Sequence, residues 1–273
     1  KFTDFIGQNQ TINNLKIFIN ASKKHEESLD HLLFYGPPGL GKTTLSQIVA
    51  NELGVNIKIT SGPAITKSGD LAAILSNLSA NDVLFIDEIH RLNIAVEETL
   101  YSAMEDFKLD IIIGEGVSAR TVTVNLPNFT LIGATTRLGL LSKPLKDRFG
   151  IPLKLDLYKA DDLVEIIENY AQKFKLKIAL DAAKILAGCS RGTPRVALRL
   201  LKRVRDFASN NNSSNIDAEL VNKSLHAMGI DDTGLDALDR KYMNVIRNNY
   251  NGGPVGIETI AACLYEDKEE SFK

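Results

Sequence analysis

Between the apolar run Leu32-Leu33-Phe34-Tyr35 and a helical pattern over Lys42–Leu53 lies Gly36-Pro37-Pro38-Gly39-Leu40-Gly41-Lys42-Thr43. This G-x-x-x-x-G-K-[ST] spacing constrains the chain more than any other feature. Its glycines let backbone N–H groups converge on phosphate oxygens without Cβ interference, and the helix opening at Lys42 adds its positive end. Lys42 is spaced to reach β- and γ-phosphates, and the Thr43 hydroxyl to ligate Mg²⁺. A bare Gly/Pro turn is the plainer alternative, but the strand–loop–helix setting is the one a phosphate loop requires. Gly36, Gly39, Gly41, Lys42, Thr43 and Thr44 are therefore the residues expected to hold a nucleotide's phosphates.

That loop predicts an α/β fold with a parallel sheet, and residues 1–156 alternate strands and helices accordingly. Val55–Thr60, Val83–Ile86, Leu131–Ala134 and Ile151–Leu155 read as further strands; the continuous apolar runs suit strands covered on both faces. Forty-five residues after Lys42, Asp87-Glu88 follows the Val83–Ile86 strand. Asp87 can organise the metal shell, and Glu88 can polarise the attacking water as a general base. Taken alone, Asp87 serves equally well as a helix cap. Residues 110–124 read as a β-hairpin inserted after a helix over 93–107. Its Ile111, Ile112, Ile113 and Val117 would place apolar surface in water unless a partner protein covers them or the hairpin folds back on its own domain.

After Asp156 the pattern turns helical, over 160–174, 181–190, 194–209 and 217–228. Gly229–Gly234 reads as a linker, followed by helices at 236–250 and 256–265 around the turn Asn251–Pro254. Three domains are expected: 1–156, 157–229 and 230–273, the last a helix-turn-helix or winged-helix piece that stops short. Thirty-two Lys+Arg against 34 Asp+Glu exclude strong overall attraction to nucleic acid. Residues 229–273 carry nine acidic and five basic side chains, a poor balance for phosphate binding. Cys189 and Cys263 lack metal-site spacing, and no apolar run approaches a membrane span, so a reducing cytoplasm without membrane attachment is expected. His25, His31, His90 and His226 show no metal or triad spacing.

Asp87-Glu88-Ile89-His90-Arg91-Leu92, Gly133-Ala134-Thr135-Thr136-Arg137 and Gly192-Thr193-Pro194-Arg195 together resemble the AAA+ ATPases, and within them the RuvB family of bacterial Holliday-junction branch-migration motors. The likeness runs in order through the whole chain, hairpin included. It implies an AAA+ P-loop core, an all-α lid and a winged-helix domain. It also implies an ATP hydrolase and DNA helicase of recombination and repair, using ATP and Mg²⁺. The working form would be a homohexameric ring on duplex DNA at four-way junctions. RuvA would dock on the hairpin, and the RuvC resolvase is a further partner.

By the same resemblance Thr136 is sensor 1, where an ordinary cap is the plainer role. Arg148 in Pro144–Phe149 is an arginine finger lent to a neighbouring subunit, and Arg195 is sensor 2. Ile6, the segment Glu105-Asp106-Phe107 and Tyr158 would contact nucleotide. Arg191, Arg199, Lys202, Arg203 and Arg205 form either an outer charged face or a DNA-facing one. Two rival functions are weighed. A clamp-loader-like or replication-initiator switch would share the ATPase motifs but lack the apolar hairpin. A phosphate-loop kinase would have no use for a neighbour's arginine.

Overall fold

A computed structural model describes residues 1–113, 120–210 and 215–264. The chain divides into two compact units, Lys1–Tyr158 and Lys159–Lys273.

The first unit is built on five parallel strands: β1 (Leu32–Tyr35), β2 (Ile57–Ser61), β3 (Val83–Asp87), β6 (Thr130–Thr135) and β7 (Ile151–Lys154), in the order β2-β3-β6-β1-β7. The helices here are α1 (Asn9–His25), α2 (Lys42–Leu53), α3 (Ser68–Leu75), α4 (Ile94–Glu105) and α5 (Lys143–Asp147). The sheet's two faces follow from the period of two along each strand. Leu33, Leu84, Ile86 and Leu131 join one core with Leu71 and Leu75 of α3 and Val96, Leu100 and Met104 of α4. The alternate residues Leu32, Phe34, Phe85 and Ile132 are also fully buried and face the other way, where α2 packs on β3 and β6. The central β3 and β6 are thus apolar on both faces, as their sequences require.

β4 (Lys108–Ile113) and β5 (Arg120–Asn125) pair antiparallel from Lys108↔Asn125 to Ile113↔Arg120. Leu109 and Leu126 anchor the hairpin base in the core, whereas Thr121, Val122 and Thr123 are exposed. The turn with Val117, and the side chains of Ile111, Ile112 and Ile113, lie outside the described residues.

The second unit holds α6 (Ala160–Lys173), α7 (Leu180–Gly188), α8 (Pro194–Asn210) and α9 (Ala218–Ala227), with the two-residue strands β8 (Lys177–Ile178) and β9 (Asn215–Ile216). Ile167, Ala183, Leu186, Leu201, Val204 and Val221 fill its centre. The expected linker is a built turn. Asp231 Oδ1 accepts from Thr233 N, Thr233 Oγ1 and Leu235 N, and Arg240 donates to the carbonyls of Leu235 and Gly229. α10 (Ala237–Asn249) and α11 (Ile257–Leu264) follow, packed on each other. No described helix is long and apolar enough to cross a membrane.

Candidate functional site

All five strands run parallel, so their C-terminal ends lie along one edge of the sheet, where open α/β sheets bind ligands. The phosphate loop leaves β1 at that edge. Gly36 has φ +141°, and a Cβ there would stand 2.3 Å from the Leu155 carbonyl oxygen, so only glycine fits. Gly41, with φ +94°, caps α2, and no side chain caps that helix or places an acid in its first turn. The first amides of α2 are left to bind an anion. Lys42 is buried, and its Nζ donates to the carbonyls of Gly36 and Pro37, both at 2.8 Å. Tyr158 and Phe5 flank the loop: the Tyr158 hydroxyl donates to Leu40 O at 3.2 Å, and the Phe5 ring lies 3.3 Å from where a Gly41 Cβ would be. Ile6 is half-buried in the same N-terminal segment, which Gln8 ties to the Asp156 backbone.

At the same edge, Asp87 ends β3 and accepts from the amide of Glu88 at 2.9 Å. Glu88 sits in the left-handed region (φ 47°, ψ 44°), a conformation found mostly where surrounding structure imposes it. Its Oε2 accepts from Thr136 Oγ1 at 3.2 Å and lies 3.4 Å from His90 Nε2. His90 Nδ1 meets Thr135 Oγ1 at 2.9 Å, and that hydroxyl accepts from Arg137 N at 3.0 Å. Burial lowers the imidazole pKa, with Glu88 pulling the other way and Arg137 and Arg91 reinforcing the decrease. Gly62, after β2, faces the same turn, and a Cβ there would meet the Glu88 carbonyl oxygen at 2.5 Å. Neither His90 nor Gly62 was among the residues expected from sequence. Both enter through contacts between strand ends that are distant in the chain.

Arg148 is elsewhere. It precedes β7, whose Ile151 pairs with Leu32 at the start of β1, so it lies at the opposite edge of the sheet from the phosphate loop. The four residues of β1 separate those edges by roughly 13 Å of strand. Arg148 lines a cleft of about 700 Å³ with His31, Met104, Phe107 and Phe129. Its guanidinium pairs with Glu105 at 2.9 Å, donates to Pro144 O at 2.9 Å and lies 4.5 Å from the centre of the Tyr101 ring. The Tyr101 hydroxyl donates to Glu97, itself buried, and meets Ser142. Arg148 is thus a held side chain, although its buried Nε has no hydrogen-bond partner among the described residues. Glu105, Asp106 and Phe107 share this edge, with Phe107 packed on His31 and Phe129. The structure does not bring these residues to the chain's own phosphate loop.

In the second unit, Arg195 is exposed in the first turn of α8. Arg191 pairs with Asp239, Arg203 and Arg205 both pair with Asp206, and Lys202 lies over the Tyr170 ring. Much of that basic run is therefore balanced locally. Arg195 and Arg199 have no ion pair among the described residues.

Residues 1–155 match the family model described as the Holliday junction DNA helicase RuvB P-loop domain, residues 158–231 the RuvB AAA lid domain, and residues 232–271 the RuvB C-terminal winged helix domain. Over 266 residues the chain is 60% identical to the Holliday junction branch migration complex subunit RuvB of Orientia tsutsugamushi (strain Ikeda), covering 97% of this chain and 82% of that protein. The Rickettsia africae (strain ESF-5) protein of the same name is 58% identical, with coverage of 97% and 78%. Among solved structures, the Thermotoga maritima RuvB Holliday junction branch migration motor aligns with a TM-score of 0.86 at 49% identity, over 97% of this chain and 84% of that one. A mutant form of the same Thermotoga maritima protein aligns with a TM-score of 0.89, also at 49% identity, over 98% of this chain and 86% of that one.

Proposed function

Because the chain belongs to the RuvB family of Holliday-junction branch-migration ATPases, we propose that it is an ATP-driven motor that moves four-way DNA junctions, hydrolysing ATP where neighbouring subunits of a hexameric ring meet. The observation that carries this reading is the split of the catalytic set across the sheet. The phosphate loop, Asp87, Glu88 and Thr136 stand at one edge, and Arg148 with Glu105 at the other. One copy therefore offers two half-sites that only a second copy can complete, which a phosphate-loop kinase has no reason to build.

In this reading the α2 amides and the phosphate loop bind the triphosphate, and Lys42 exchanges its two loop carbonyls for phosphate oxygens. Ile6 and Tyr158 contact the nucleotide from beside the loop. Thr43 and Asp87 are hard oxygen donors and fit Mg²⁺, which when bound offsets phosphate charge. Glu88 takes a proton from the attacking water, and Thr136 orients water or γ-phosphate. A neighbour's rigid Arg148 guanidinium offsets charge on the transferring phosphoryl group. Arg195, in the lid of residues 157–229, acts as sensor 2. The core is residues 1–156 and the winged helix 230–273. RuvA docks on the hairpin 110–124, whose base is anchored and whose β5 face is exposed, and RuvC joins the same complex. Both cysteines are free, in keeping with work in the cytoplasm.

The test is ATP hydrolysis with four-way junction against linear duplex, with and without RuvA, beside Glu88→Gln. Stimulation should be largest with junction and partner, and Glu88→Gln should bind ATP yet hydrolyse it at least ~100-fold more slowly. Equal stimulation by linear DNA without the partner would favour an ATP-driven assembly switch instead.

A further inference from the structure

We propose that His90 is a positioning residue for hydrolysis, holding the Glu88 carboxylate through a relay that runs from Thr135 to His90 to Glu88. The inference rests on the reading of Glu88 as the base.

The geometry fixes the direction of the relay. A carboxylate only accepts, so the Nε2 beside Glu88 carries the ring proton. Nδ1 of the neutral ring is then an acceptor, and the Thr135 hydroxyl, which takes the Arg137 amide on one lone pair, donates to it at 2.9 Å. Nε2 lies 3.4 Å from Glu88 Oε2, longer than a formed hydrogen bond, and in this proposal the relay closes when the carboxylate settles onto it in the loaded site. The His90 side chain is only 5% exposed and has little freedom to turn away. Burial, the largest influence on its pKa, favours the neutral ring that this relay needs.

The same carboxylate oxygen also accepts from Thr136. When Thr136 turns toward γ-phosphate or water, that bond is given up. Glu88 is then left with His90 as its lateral hold, on a backbone already in the left-handed region. Thr135, fully buried at the end of β6, ties the imidazole to the strand that Thr136 directly follows. Neither Thr135 nor His90 holds the phosphates in this reading, so their effect should fall on turnover and not on nucleotide binding.

The test uses the full chain assembled on junction DNA, measuring steady-state hydrolysis and the affinity for a fluorescent ATP analogue. His90→Phe keeps the ring but no N–H, and should lower kcat about 10- to 100-fold with KM within about twofold. His90→Gln restores a donor at similar reach and should stay within about threefold of the original kcat. In a Glu88→Gln background, His90→Phe should cost less than about twofold more in single-turnover rate, because both act through one carboxylate. The inference is overturned by a normal kcat in His90→Phe, by His90→Gln as slow as His90→Phe, or by an undiminished loss in the Glu88→Gln background. Normal hydrolysis by Glu88→Gln overturns the base reading and this inference with it. A slow Glu88→Gln beside a fast His90→Phe overturns this inference alone. Should His90→Phe fail to bind nucleotide, Thr135→Val and Thr135→Ser decide: a slow Val and a near-normal Ser support the relay, and equal rates overturn it.

Discussion

Gly62 sits where β2 ends, and its importance comes entirely from what faces it. A methyl group there would lie 2.5 Å from the Glu88 carbonyl oxygen and push the turn that aims the carboxylate. Gly62→Ala should lower kcat roughly 10- to 100-fold, the usual size for a sub-ångström to ångström displacement of a catalytic group. Nucleotide affinity should be unchanged, because the phosphate loop is on β1. A turnover rate equal to the original would show that the turn relaxes without cost. Such a residue cannot be found by reading along the chain. Lys42 and Asp87 are legible because their chemistry rides on local patterns, a glycine spacing and an apolar strand ending in a carboxylate. Gly62, His90 and Thr135 join the site only because β2, β3 and β6 end side by side. His90 looks idle in sequence since its partners are a glutamate two residues back and a threonine 45 residues on.

The elements show the same division. β3 and β6 announce themselves as uninterrupted apolar runs, whereas α3 hides behind Ser68-Gly69-Asp70 and buries only Leu71 and Leu75. The edge strand β2 is shifted from Val55–Thr60 to Ile57–Ser61, because an edge strand with its mixed exposure gives periodicity little to fix on. The segment after α9 reads as a linker from its Gly, Asp and Thr content. It is instead organised by Asp231, which accepts three hydrogen bonds and pairs with Arg240 at 3.5 Å. Its pKa is lowered, first by the Thr233 hydroxyl and then by the Leu235 amide. A carboxyl with a lowered folded pKa contributes stability above its unfolded value, and that contribution is lost as pH falls through the folded value. Asp231→Ala should therefore melt below the original protein near neutral pH, and the gap should narrow once pH falls below about 4, the ordinary Asp value, and vanish as it falls through the lowered folded value. Thermal melts of both proteins at each pH check this. A gap that does not vary with pH would assign the loss to packing and not to the ionised carboxylate.

At the scale of the whole molecule, one sheet carries the phosphate loop, Asp87 and Glu88 at one edge and Arg148 with Glu105 at the other. β1 is too short to hide this: the loop that binds phosphate begins where it ends, and Arg148 stands beside where it begins. Tyr101 and Glu105 hold the guanidinium in place, so its position is set within a single copy. If copies of the chain meet through these two edges they join head to tail, and such joints close into rings or continue as filaments. If the joint is where ATP is cleaved, Lys42→Ala and Arg148→Ala subunits should each be inactive alone, since one lacks the loop lysine and the other the finger. Mixed in equal amounts, about a quarter of the joints would pair an intact loop with an intact finger, so hydrolysis should return to about that share if joints act independently. Dilution should abolish the recovered activity along with the assembly, read by mass photometry and hydrolysis in the same samples. Mixtures as inactive as their parents, or an Arg148→Ala protein that turns over normally by itself, would mean that the two edges never meet around one nucleotide.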